Sequence, residues 1–175
     1  MSQFYDKPSA CQACPAYEVG QSYVPGRGPL DAKLALIGQG PGKVEAHLGE
    51  PFKGPSGKLL SRWLERAGIP EDQVRIDNIV RCRVVDAHGK DRKPFAKEVA
   101  YCMATHIRPA LRDMPNLRVL IPVGVPAQQP FLGTSGERNV GSTHVVRWEE
   151  AVGVGEVAQG GGDFGAAGQG GGSVG

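Results

Sequence analysis

Four cysteines carry the clearest chemistry in this 175-residue chain: Cys11 and Cys14 in C-Q-A-C-P, then Cys82 and Cys102 far downstream. Together they supply a complete tetrathiolate donor set for a metal ion or a metal–sulfur cluster. No apolar run reaches the ~18 residues of a membrane span, and no charged start leads into an apolar leader. The expected compartment is therefore cytoplasmic, with no membrane partner. Disulfide frameworks are disfavoured in that reducing setting, so the cysteines read as ligands rather than as two bridges. Two further segments have the composition of a site: G-Q-G-P-G at Gly38–Gly42 and P-F-K-G-P-S-G at Pro51–Gly57. Glycine adds no side-chain bulk, so the first can bring its backbone close to a small planar ligand. The plainer reading is a strand-to-helix connection.

These residues need elements to hold them. Lys33–Gly38, K-L-A-L-I-G, has the pattern of a strand buried on both faces of a parallel sheet. The first glycine loop then lies at its carboxyl end, where open α/β sheets bind ligands. A helix is predicted over Gly57–Ala67, with Leu59, Leu60, Trp63, Leu64 and Ala67 on one stripe facing the sheet and Gly68 closing it. Val74–Val80 alternates as a second strand leading directly into Cys82, which puts that cysteine at a strand end. Pro94 opens a helix carrying Val99, Cys102, Met103, Ile107 and Leu111, its last turn distorted by Pro109. Arg118–Gly124 reads as a third strand, followed by a short helix ending near Leu132 and Gly133. The alternation predicts an α/β fold, a three-layer sandwich with a central, mostly parallel sheet flanked by helices.

One domain is expected over residues 1–150, the usual size for a single core. T-H-V-V-R-W, ending at Trp148, reads as an edge strand. Beyond it the composition changes, with 11 of the 26 glycines between Ala151 and Gly175. So few large apolar side chains cannot offset the entropy of ordering. Residues 151–175 read as a disordered glycine-rich tail or as an altered reading frame replacing a native C-terminus, and both stay open. The formal charge is +2, and this tail holds Glu156 and Asp163 but no Lys or Arg, which leaves +4 on the rest. That balance is compatible with phosphate contacts yet short of a basic stripe, so charge alone leaves nucleic-acid binding undecided.

Taken in order and spacing, C-Q-A-C-P, G-Q-G-P-G, P-F-K-G-P-S-G and D-N-I-V-R-C-R resemble the iron–sulfur (type 4) uracil-DNA glycosylases, over roughly Cys11 to Trp148. Each motif alone is weak; their combination is specific. The resemblance implies a 4Fe-4S cluster on Cys11, Cys14, Cys82 and Cys102. The alternative is zinc, but tetrathiolate zinc more often joins two C-x-x-C knuckles, whereas 19 residues separate Cys82 from Cys102. It also implies a monofunctional DNA-repair hydrolase, working as a monomer in the bacterial or archaeal cytoplasm on uracil-containing DNA, single- or double-stranded. Uracil would be flipped out of the stack and released by hydrolysis of its N-glycosidic bond, leaving an abasic site.

The resemblance implies that Gly38, Gln39 and Gly40 contact uracil and position the hydrolytic water. Phe52 would stack on the base, and Asn78 would pair with its carbonyl and N–H edge while mismatching the amine of cytosine. Gln39 stands where the family carries an acidic residue, which weakens its catalytic part. Glu45 either compensates or is a solvated surface carboxylate. The family's H-P-S or H-P-A motif has no counterpart: His47 lies near the first loop, His88 in a charged loop, His106 in a helix and His144 in T-H-V-V-R-W. Losing such a preorganised group costs ~100-fold to 1000-fold in rate, so the expectation is uracil recognition with impaired catalysis. The alternative is a noncatalytic relative that binds uracil or DNA.

Overall fold

The computed structural model describes residues 6–133; the predicted edge strand with His144 and the glycine-rich tail lie outside the described residues. The central sheet has three parallel strands: β2 (Leu34–Gly38) in the middle, β3 (Val74–Asn78) on one side and β5 (Val119–Pro122) on the other. Side-chain alternation along β2 sends its residues into two cores. Ala35 and Ile37 join Met103, Ile107, Leu111, Ala127 and Phe131 on one face, while Leu36 joins Leu60, Leu64, Val74 and Ile76 on the other. Helices thus cover both faces of a mostly parallel sheet, the α/β sandwich that the alternation of elements predicts.

After β2 come a short helix, α1 (Lys43–Leu48), and then α2 (Pro55–Arg66), which begins with proline in its first turn and ends at Gly68. The buried stripe of α2 is narrower than its sequence suggests. Gly57, Leu60 and Leu64 are buried, whereas Leu59 and Trp63 are 40% and 52% exposed and Ala67 is exposed. Leu59 and Trp63 precede Leu60 and Leu64 by one residue, about 100° around the helix, and so fall on the flank of the contact seam.

Two corrections concern the segments that carry cysteines. The strand beginning at Val74 does not run into Cys82: it stops at Asn78, and Cys82 opens a separate strand, β4 (Cys82–Val84). This strand pairs antiparallel with β1 (Gly20–Tyr23) in a small second sheet. The chain leaves β3 because Ile79 and Val80 donate to the carbonyls of Gly38 and Gln39, and Arg81 then accepts from Val24. The helix expected from Pro94 begins at Ala96 as α3 (Ala96–Cys102) and passes through a π turn, Met103–Ile107, before α4 (Arg108–Arg112). Pro109 accounts for that turn, because its ring crowds the carbonyl one turn upstream and it has no N–H to donate. The distortion therefore lies in the middle of the helical run, before Pro109, and not in its last turn. The last described helix, α5 (Val125–Leu132), ends at Gly133 as expected.

Helix α3 is anchored by one buried carboxylate. Glu98 accepts two hydrogen bonds from the Arg92 guanidinium, at 2.8 and 2.7 Å, and one from the Phe95 backbone N–H at 2.7 Å. The Arg92 bonds hold its carboxyl below the usual glutamate range, against the opposing effect of burial. A depressed acid stabilises the fold above its unfolded pKa and loses that contribution as pH falls through the folded value. Glu98→Gln should therefore unfold more easily than the parent near neutral pH, by about 1–3 kcal/mol. The gap should close below about pH 4, near the ordinary glutamate value. Denaturant unfolding across pH measures this, and a gap of constant size at all pH values would remove the charge from the account.

Candidate functional site

Parallel pairing of β2 with β3 sets Gly38 directly opposite Asn78 at the carboxyl end of the sheet. Space there is so tight that a β-carbon on Gly38 would lie 2.5 Å from Phe52 Cζ and 2.6 Å from Asn78 Oδ1. Glycine is required by this close approach, and Gly38, Phe52 and Asn78 thereby meet at one point. Asn78 is buried, and among the described residues its carboxamide makes no hydrogen bond. Gln39 and Gly40 follow half-buried on the same rim.

Phe52 is held in an unusual way. Its backbone is left-handed, with φ +56°, a region that costs a non-glycine residue of order 1–3 kcal/mol. Both flanks are fixed. Before it, the Pro51 carbonyl accepts a bond of 3.1 Å from Arg27 Nε, and Arg27 also pairs with Glu71. After it, the Lys53 and Gly54 N–H groups donate to Glu45 Oε1 at 3.1 and 2.7 Å. Gly57 in α2 abuts the Phe52 carbonyl, where a β-carbon would collide.

Glu45 is neither of the things its sequence position suggested. It is 7% exposed, and besides the bonds from Lys53 and Gly54 its Oε2 accepts from the Gly42 N–H at 3.1 Å. One carboxylate on α1 therefore ties the two glycine loops together. With both oxygens engaged by backbone donors, it is a structural acceptor and not a substitute base for Gln39.

The four cysteines converge on a different place. Cys11 ends a short 3-10 turn, Ser9–Cys11, and the Cys14 N–H bonds back to its carbonyl at 2.9 Å; Cys82 begins β4 and Cys102 ends α3. All four are free and line one cavity, together with Lys7, Tyr23, Arg81 and His106. The Tyr101 hydroxyl docks the N-terminal turn onto α3 by donating to the Ala10 carbonyl at 2.8 Å. That turn is thus held against the β1–β4 ribbon and α3, not against the central sheet. Burial pushes the Cys82 thiol up to about 11 and the Cys102 thiol up to about 12, while burial and the neighbouring Cys14 raise Cys11. Ligation must therefore displace protons. The Arg81 N–H lies 3.4 Å from the Cys102 sulfur, and this soft, enclosed donor set fits a metal–sulfur group. Among the described residues, no three His, Cys, Asp or Glu side chains gather around a single metal-ion position.

Among the lining residues that sequence reasoning did not bring to the cysteines is His106. His106 sits in the π turn with Nε2 3.1 Å from Cys11 Sγ and its ring edge-on to Tyr23. Its spacing from Cys102, four residues along a helix, was the available signal. His47 and His88 are both exposed.

Among the described residues no helix is long and apolar enough to cross a membrane. Comparison with known proteins gives consistent matches. Residues 25–162 match the Uracil DNA glycosylase superfamily. The chain is 33% identical over 127 residues to a Type-4 uracil-DNA glycosylase of Thermotoga maritima, covering 73% of this chain and 63% of the relative. Proteins of the same name from Archaeoglobus fulgidus and Saccharolobus solfataricus are 33% and 36% identical over 112 and 98 residues. Those matches cover 64% and 55% of this chain and 54% and 44% of the two relatives. The chain thus spans 44–63% of the lengths of these relatives.

Glu45→Ala should leave three backbone N–H groups without their acceptor, at about 1–3 kcal/mol for each that stays buried. Amide hydrogen exchange should quicken at Gly42, Lys53 and Gly54 while the β2–β3 ladder keeps its protection. Unchanged exchange at those three amides would mean that the loops hold their shape without the carboxylate.

Proposed function

This chain belongs to the uracil DNA glycosylase superfamily, and from that premise we propose that it hydrolyses the N-glycosidic bond of deoxyuridine in DNA, releasing uracil and leaving an abasic site. The observation that carries the reading is the meeting of Gly38, Phe52 and Asn78 at the carboxyl end of the parallel sheet. A flipped uracil would stack on Phe52, a contact contributing ~1–3 kcal/mol that any base can make. Selectivity then falls to Asn78. Its carboxamide would donate to a uracil carbonyl and accept from the ring N–H, and cytosine would leave these buried groups unpaired.

In the reaction, water adds to the sugar carbon as the bond to the base nitrogen breaks, uracil departs as an anion with the bonding electron pair, and the proton shed by the water passes to solvent, which reprotonates the released uracil. Gln39 would orient this water through its carboxamide, which cannot take its proton. No described histidine stands beside Gly38 and Asn78 to stabilise departing uracil, since His47 is exposed on α1 and His106 faces the cysteines. The sequence carries no H-P-S or H-P-A motif, and the loss of such a group would lower turnover ~100-fold to 1000-fold.

Cys11, Cys14, Cys82 and Cys102 would hold a 4Fe-4S cluster. Four thiolates around one cavity make a soft donor set that would suit such a cluster, and the 19 residues between Cys82 and Cys102 depart from the two C-x-x-C knuckles that tetrathiolate zinc more often joins. When bound, such a cluster supplies iron–thiolate bonds that fasten the N-terminal turn to α3 and β4, and it takes no part in the hydrolysis proposed here. The protein would act as a cytoplasmic monomer on single- or double-stranded DNA, with the glycosylase-like domain over residues 1–150.

Incubation with a single-stranded uracil-containing oligonucleotide, followed by alkaline cleavage at abasic sites, tests the activity. Product should form, and Asn78→Ala should lower its rate by tenfold or more, in line with a lost hydrogen-bonding group. Selective binding without product would make the chain a noncatalytic relative, and neither product nor binding would end the uracil reading. Iron and sulfide analysis tests the cluster: Cys11→Ala should lose iron and stability together, whereas stoichiometric zinc in the parent would overturn the assignment.

A further inference from the structure

A buried ion pair that the proposed reaction does not use lies between the two sites. Asp77 and Arg81 are 3% and 8% exposed, and Arg81 Nε and Nη2 meet the two Asp77 oxygens at 3.2 and 2.6 Å. Asp77 Oδ1 also accepts the backbone N–H of Asn78 at 2.8 Å. On its other side, Arg81 Nη1 donates to the Tyr23 hydroxyl at 2.9 Å. That hydroxyl lies 3.5 Å from His106 Nδ1, and His106 Nε2 lies 3.1 Å from Cys11 Sγ. The Arg81 backbone reaches the second buried thiol directly, through its N–H to Cys102. Burial works against the charge on Arg81, but Asp77 and Tyr23 outweigh it and keep the guanidinium protonated.

A buried ion pair adds little net stability over an apolar pair of the same shape, whereas removing one partner is costly. What the pair does supply is direction, since a guanidinium fork fixes both the carboxylate and its own orientation. We propose that Arg81 is a positioning residue that joins the cysteine site and the Gly38–Asn78 pocket into one hydrogen-bonded frame, so that filling the cysteine site fixes the orientation of Asn78. The ligand named for the pocket rests on the uracil reading, but the geometry of the frame does not.

The test uses the iron-loaded protein with Arg81→Met, Arg81→Lys and the neutral pair Asp77→Asn/Arg81→Met, which avoids leaving the buried carboxylate with only Arg75, 3.8 Å away, if the single change fails to fold. Three quantities are read: iron content, amide exchange at Asn78, Ile79 and Val80, and the affinity ratio for oligonucleotides carrying a hydrolysis-resistant deoxyuridine analogue or deoxycytidine. Iron should be retained in Arg81→Met or in the double variant. In the same protein exchange at the three amides should quicken, and the preference for uracil should fall roughly tenfold. Arg81→Lys should recover part of both, as a cation without the fork. Stripping iron from the parent should quicken the same amides ahead of the β2–β5 ladder. A folded, iron-loaded variant with parental exchange and parental preference overturns the proposal, as do parental amides that ignore iron removal. If the parent itself prefers neither base, the uracil reading falls and the exchange rates alone decide the role of Arg81.

Discussion

The level at which β2 and β3 end governs the rest of the site. Parallel register places Gly38 across from Asn78, and the two chains then turn away together, joined by the bonds from Ile79 and Val80 to the Gly38 and Gln39 carbonyls. A slip of one residue would send every β3 side chain to the opposite face. Asn78 would then leave the pocket, and Asp77 would no longer meet Arg81. A small patch of ladder hydrogen bonds thereby sets both the polar contact in the pocket and the path of the chain toward Cys82.

Loops alone would not keep that pocket in shape. The left-handed backbone at Phe52 is unfavourable by itself and persists because Arg27, Glu45 and Gly57 fix its neighbours from three directions. Such overdetermination resembles a catalytic or binding constellation that is preorganised before its ligand arrives, so that little ordering remains to be done on binding. Glu45 matters most here because it belongs to an element between the two loops and bonds to both.

Much of this was legible in the chain. The run K-L-A-L-I-G, the body of α2 from Gly57 onward, the stop at Gly68 and a strand within Arg118–Gly124 carry strong local signals, whereas the start of α2 at Pro55 lay two residues before the expected one. Strand β1 carried none: G-Q-S-Y buries a glycine and a serine, which no hydrophobic period reveals. The break between β3 and β4 was equally hidden, since bonds from the first glycine loop impose it across the fold. Motif order brought Gly38, Phe52, Asn78 and the four cysteines to notice. The contacts of Glu45 and His106 were not legible, because a solvated carboxylate or a helical histidine is the ordinary reading of such positions, and the partners of His106, Cys11 and Tyr23, are distant in sequence.

The cysteine cavity draws its walls from chain segments at positions 11, 14, 82 and 102, so its closure spans most of the described chain. Closing a loop that long costs only slightly more entropy than closing a shorter one, but it imposes an order in time. During synthesis at about 5–20 residues per second, the C-Q-A-C-P turn emerges seconds before Cys102 and waits without its partners. Until α3 has formed and docked, the thiols, of which Cys11 and Cys102 end up buried, remain open to oxidants. For this chain the vulnerable moment of the cysteine cavity is therefore its biogenesis, before the finished fold closes over the thiols.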